Sequence, residues 1–295
     1  MPLVHPGLFF CNQFLVFFFI HMGKKPGSAD GNFKKPMKLN QKFYWAKYLI
    51  EALILTVGIS FLVGIWYLVS IIGQYPTFIL PDPVSVWREA LIFIKNGRLW
   101  FHLQATLMEM LGGLALGTIS ATLMGYVLAK KQMLERFLGP YIVASQSIPV
   151  VAIAPLLIIW FGSGKLSKIL ICALIVFFPI LVNTIVGIRS VDEGLRALMR
   201  SLHASRWQTF TMLEIPAALP VLLGGLKIGV TLSAIGAVVG EFVGADKGLG
   251  YLISLSKGLF NTPLMFVALI TISGLSLILY SLVTGLEKWL LAWRD

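Results

Sequence analysis

Five polar side chains interrupt runs that are otherwise apolar: Glu51, Glu109, Gln146, Asn183 and Glu241. A carboxylate or amide surrounded by Leu, Ile, Val and Phe is expensive in hydrocarbon, so each marks either a solute pathway or a structural pair. The readings differ by site. Glu51 stands near the end of its run and fits an interface. Glu109 and Glu241 could lie near the opposite interface, solvated. Gln146 and Asn183 could bond across helices, an interaction worth about 1 kcal/mol. Gln146, Asn183 and Glu241 are the pathway candidates. Lys227 lies close enough to the end of its run to snorkel.

Other chemistry is excluded more than supported. The segment FGSGKLS (161–167) is nearest to a phosphate-binding loop. It lacks the first glycine at the required spacing, and Leu166 stands where Ser or Thr should follow the lysine. The four histidines show no metal-ligand spacing and no Ser/His/Asp set is evident, so neither a metal site nor an enzyme is expected. Cys11 and Cys172 sit in apolar surroundings and read as small buried hydrophobes.

The elements that carry these residues are membrane helices. The chain is 57% hydrophobic and 13% charged, with a mean hydropathy of +0.85. A bilayer core ~30 Å thick is crossed by about 20 helical residues, and several runs reach that length. Each must be helical, because lipid offers the backbone no hydrogen-bond partner. The expected fold is an all-α integral membrane protein of about six transmembrane helices, near 48–72, 104–129, 137–161, 169–188, 216–243 and 264–286. Gly112, Gly113, Gly117 and Gly125 suit close packing in the second. Pro149 and Pro155 break or kink the third. A short helix capped by Ser85 is expected between the first two. The polar segment 246–263 is expected to be re-entrant or interfacial. Residues 1–47 form an N-terminal extension and basic linker, with 7–22 either preceding a true start at Met22 or Met37 or forming an interfacial or further membrane segment. The membrane domain is 48–295.

The net charge of +11 invites a nucleic-acid partner. The basic residues are instead dispersed among the loops, as the positive-inside rule requires. Placing the N-terminus inside puts sixteen lysines and arginines inside against seven outside. That places 192–220, DEGLRALMRSLHASRWQTFTMLEIPAALP, in the cytoplasm. Leu195, Leu198, Met199 and Leu202 share one face of a helix, with Arg196, Arg200 and His203 beside it. Such a segment cannot span, so it lies at the surface or docks on a partner.

This stretch resembles the cytoplasmic EAA loop of permease subunits of bacterial ABC importers, whose pattern is Glu-Ala-Ala, three residues, Gly, nine residues, Ile-x-Leu-Pro. Ala197, Leu198 and Met199 stand in the first three positions, His203 stands for Gly, and Leu213–Pro216 closes the motif. The segments LPDPVSVW (80–87), HLQATLMEML (102–111), ASQSIPVVAIAPLLIIWFGSG (144–164), FFPILVNTIVGIRSVD (177–192) and GAVVGEFVGADKGLGYLI (236–253) are similar to the permeases for taurine, sulfonates, nitrate and pyrimidine or riboflavin-type vitamin precursors.

The resemblance covers about Tyr75 to Trp293 and implies the type I (MetI-like) importer fold in a bacterial inner membrane. It implies a homodimer, a separate ATPase subunit that binds ATP and magnesium, an extracytoplasmic binding protein, and no cofactor of the chain's own. Coupling to the ATPase falls on Arg196, Arg200, Ser201, Leu202, His203, Ala204, Ser205 and Arg206, with Pro216 as a stiff joint into the next span. A glycine at the turn takes positive φ freely, so His203 leaves the turn either strained or differently shaped. The competing class is an ion-gradient-driven transporter or channel using the embedded carboxylates.

Overall fold

The computed structural model describes residues 41–293, without the side chains of 41–49, 51, 52 and 55. The expectations for 1–40, for Cys11 and for the Glu51 side chain lie outside the described residues. The chain divides into two compact units, 1–59 and 60–295. Helix α1 (Gln41–Ile72) starts in the first, so the end of the stretch expected as linker is helical. The second holds α2 (Pro83–Lys95), α3 (Arg98–Lys130), α4 (Gln132–Gln146), α5 (Val150–Phe161), α6 (Lys165–Arg189), α7 (Glu193–Ser201), α8 (Arg206–Gly244), α9 (Leu249–Gly258) and α10 (Thr262–Leu290).

Among the described residues, α3, α6, α8 and α10 are long and apolar enough to cross a membrane, and the bent pair α4/α5 makes a fifth such unit. In the run at 137–161, expected to be broken or kinked by Pro149 and Pro155, the chain breaks at Pro149 into two helices at 93°. The reason is local. Pro149 is the N-cap of α5 with extended backbone, and a residue preceding proline is pushed out of the helical region, so α4 must end before Ile148. Helices α3 and α6 also begin earlier than hydropathy indicates, because Arg98 and His102 in α3 and Lys165, Ser167 and Lys168 in α6 interrupt the apolar run at their starts. Asp82, rather than Ser85, caps α2: its carboxylate accepts from the Ser85 N–H (3.2 Å), with Pro83 at the first helical position. Trp66 anchors the end of α1, donating to Pro81 O (3.0 Å) and stacking on Phe266.

Small residues set the core. Helices α3 and α6 run parallel, with Gly113 against Cys172, Gly117 against Ala173 and Gly125 against Thr184. Helix α8 returns antiparallel along α6, with Gly225 on Asn183, Gly236 on Cys172 and Gly240 on Lys168. A Cβ at Gly236 would come within 2.7 Å of Cys172 Cα, so only a residue without a side chain fits there. In lipid, where apolar burial gives little drive, this contact packing holds helices together. Cys172 is fully buried in this core, as expected. Lys130, Arg189, α7 and the start of α8 therefore share one end of the bundle; Arg98, Lys168, Glu241 and α9 share the other.

Candidate functional site

Two polar regions stand at opposite ends of the bundle. The first is α7 and the turn after it. Asp192 caps α7, accepting from the Leu195 N–H at 3.1 Å. The helix ends in a Schellman motif: Ala204 N–H reaches back to Met199 O and His203 N–H to Arg200 O, both at 3.0 Å. That motif requires a left-handed residue, and His203 takes it with φ of 54°. The turn is thus shaped as the glycine pattern demands, with a histidine bearing roughly 1–2 kcal/mol of strain. Substituting His203→Gly should raise thermal stability by about 1 kcal/mol and leave coupled transport at or above the wild-type rate. A large loss of uptake at normal expression would give the imidazole a role of its own.

Leu195, Leu198 and Leu202 of the expected apolar face are exposed, and Trp207, at 70% exposed, is a further exposed apolar side chain just after the turn. Met199 turns toward the bundle and is half-buried. Arg200 and Arg206 are exposed and form no ion pair among the described residues. Arg196 is used internally, donating to Ile188 O (2.7 Å) and pairing with Glu193, so it fixes α7 against the end of α6. Ser201, Leu202 and Ser205 are exposed, and Ala204 is half-buried.

The following helix starts at Arg206, ten residues before Pro216, where sequence placed its beginning. A capping box starts it: Ser205 Oγ accepts from the Gln208 N–H and Gln208 Oε1 from the Ser205 N–H. Residues Phe210–Glu214 form a π-helical stretch closed by Ile215 N–H to Phe210 O. A proline cannot donate and crowds the carbonyl four residues back; the widened turn lets Pro216 follow inside a continuous helix. Pro216 is therefore not a joint between turn and span.

The second region is buried. Glu109 of α3, Lys168 of α6 and Glu241 of α8 are each no more than 2% exposed. Glu109 and Glu241 are therefore not solvated at an interface, and Lys168, one of the seven basic residues counted outside, is inside the bundle. Lys168 Nζ lies 3.5 Å from Glu109 Oε1. Among the described residues neither Glu109 oxygen accepts a hydrogen bond. Glu241 has a different task. A helix leaves its first four N–H groups without internal partners. In α9 all four are met by side chains from two other helices. Gly248 N–H donates to His102 Nδ1 (3.1 Å), Leu249 N–H to Thr106 Oγ1 (2.7 Å), and the N–H groups of Gly250 and Tyr251 to Glu241 Oε2. Thr106 in turn donates to Glu241 Oε1 at 2.6 Å. A carboxylate at the positive end of a helix is favourable in its own right.

The three pathway candidates do not converge. Gln146 is exposed at the end of α4, beside the break. Asn183 is half-buried and donates to Pro179 O of its own helix (2.8 Å), so it does not bond across helices. Glu241 sits at the level of Lys168, fifteen residues from Asn183 along α6, which is about 22 Å of helix. Lys227 does not snorkel alone; it pairs with Glu287 of α10. Sequence reading missed Thr106, His102 and Lys168. It also missed Glu214, buried and held by Lys130 and Tyr126. The only signal for Glu214 was a carboxylate set among Leu213, Ile215 and Pro216 in the closing motif.

Comparison with known proteins follows the same lines. Residues 103–291 match the family model described as binding-protein-dependent transport system inner membrane component. The chain is 47% identical over 254 residues to a riboflavin transport system permease protein of Chloroflexus aurantiacus, covering 86% of this chain and 93% of that one. It is 36% identical over 245 residues to a formylaminopyrimidine transport permease protein of Halalkalibacterium halodurans, with 83% and 97% covered. A putative aliphatic sulfonates transport permease protein of Bacillus subtilis is 31% identical over 268 residues, with 91% and 94% covered.

Proposed function

The chain belongs to the family of binding-protein-dependent transport system inner membrane components and is the permease subunit of an ABC importer, and on that premise we propose how it is assembled and what it carries. A cytoplasmic ATPase docks on the face formed by Leu195, Leu198, Leu202 and Trp207, with Arg200 and Arg206 orienting it. The single observation that carries this is the exposure of that face at a polar end of the bundle, on a capped helix too short to span. Large apolar side chains next to unpaired arginines are what a groove on a soluble partner recognises. ATP and its magnesium are held by that partner, and hydrolysis takes place there.

The end of the bundle carrying α7 faces the cytoplasm. Lys130, Lys131, Arg136, Arg189, Arg200 and Arg206 gather there, and the burial of Lys168 weakens the opposing count, which supports that orientation. Two copies of the chain enclose the pathway, fed by an extracytoplasmic binding protein. Gln146 and Asn183 keep surface to offer a solute, whereas Glu241 reaches one only by releasing α9. The solute class is a riboflavin-type or pyrimidine vitamin precursor, by analogy with the relatives named above.

Co-purification tests the docking reading. Wild-type permease in mild detergent should retain its ATPase subunit, and the complex in vesicles should take up riboflavin ahead of alkyl sulfonates. The double reversal Arg200→Glu/Arg206→Glu should cut retention at least tenfold, a loss of about 1.4 kcal/mol. Full retention by that variant rules the arginines out, and preference for sulfonates overturns the solute class.

A further inference from the structure

A chain of contacts leads from the docking face into the end of α3 through residues outside the turn. The exposed Trp207 ring packs on Phe210 with centroids 5.6 Å apart, and Phe210 meets Tyr126 edge-on at 5.1 Å. Tyr126 Oη donates to Glu214 Oε2 at 3.2 Å, and Lys130 Nζ pairs with Glu214 Oε1 while lying over the Tyr126 ring. Tyr126 and Lys130 are four residues apart, on one face of the last turns of α3.

The burial of the pair is unequal. The Glu214 side chain is 1% exposed and that of Lys130 37%. Lys130 can lose its partner and still be hydrated, but Glu214 cannot. A buried carboxylate stripped of its ion-pair partner and its hydroxyl donor is strongly disfavoured, so any displacement of Glu214 must carry Tyr126 and Lys130 with it. Glu214 also ends the π-helical stretch, a wide turn of the kind that accommodates register adjustment and recurs at functional sites. We propose that Glu214 is a positioning residue which, through Tyr126 and Lys130, ties the ATPase-docking face to α3, so that nucleotide-driven motion of that face moves α3. This rests on the docking reading given above.

Amide hydrogen exchange on the full complex, resting and trapped with ATP and vanadate, separates the two ideas without needing the solute. In the wild type, trapping should alter exchange both in 193–205 and in 118–130. In Glu214→Gln the response of 193–205 should persist while that of 118–130 falls several-fold; Lys130→Arg, which keeps the charge, should retain both. A purely structural role would shift resting exchange and leave the trapping response intact. Should Glu214→Gln fail to assemble, Phe210→Leu breaks the ring bridge without touching the charges and should also depress the 118–130 response. A full response of 118–130 in either variant, or none in the wild type while 193–205 responds, overturns the latch alone. No wild-type response in 193–205 sinks the docking reading and the latch together.

Discussion

Lys168→Met should destabilise the bundle by about 3–5 kcal/mol, and adding Glu109→Gln should restore most of that loss. The methionine keeps nearly the length and volume of the lysine stem, so little cavity is created and the effect isolates charge. Without the ammonium, Glu109 has no cation and, among the described residues, no hydrogen-bond donor. Its neighbour Glu241 is a second carboxyl group and supplies no positive charge. Removing both charges leaves Glu241 as the remaining carboxylate, still held by Thr106 and the N–H groups of α9, and such replacements of a buried pair are commonly neutral or stabilising. Thermal unfolding in detergent can be followed with a thiol-reactive dye at the buried Cys172, in a background carrying Cys11→Ser. A Lys168→Met variant that melts with the wild type would remove the pair from any account of stability.

The pair also solves a problem that the small-residue seam creates. Gly113, Gly117, Ala121 and Gly125 repeat every four residues along α3. Sliding α3 by one such step, about 6 Å, would set a small residue opposite much the same groove of α6. Glycine seams thus permit close approach but specify register poorly. Glu109, Lys168 and the hydrogen bond of Thr106 to Glu241 have no counterpart one step away. Burying them is costly, and the return is a single alignment of α3, α6 and α8.

How much of this was legible in sequence depended on the range of the interaction. The apolar runs and the glycine seam are local patterns and are present in the structure; of the two turn shapes left open at His203, the structure takes the left-handed one. Proline at 149 told where a helix must stop, but not where the next one goes, which packing decides. Lys168 was misread because it follows a Gly-Ser-Gly loop and looks like a loop charge; only the first turn of α6, wrapped by Gly240 and Glu109, makes it interior. Glu241 was recognisable as costly. Its partners, however, are backbone groups nine and ten residues on and a threonine 135 residues back, and no periodicity connects those. Glu214 was hidden in the variable position of a motif whose other positions drew the attention.

The corner that Glu241 caps makes the second large prediction: Gly248→Ala should cost at least about 3 kcal/mol. Gly248 has φ of 119° and ψ of 166°, a region essentially closed to residues with a Cβ, with a strain of order 1–3 kcal/mol. Its added Cβ would also land on the Glu241 carboxyl group, which cannot retreat without releasing the N–H groups of Gly250 and Tyr251. A hydrogen bond to a charged group contributes roughly 1.5–3 kcal/mol, so the two penalties compound. Gly258→Ala, at the other end of α9, meets nothing within 4 Å and should be near neutral. Hydrogen exchange should show the amides of Leu249 to Tyr251 released in Gly248→Ala and protected in Gly258→Ala. Equal melting of the two variants would mean that the cap does not hold α9. If it does hold, α9 is fixed by His102 and Thr106 of α3 and by Glu241 of α8. Helix α9 then cannot swing alone, and any opening at this end of the bundle must move α3 and α8 together with it.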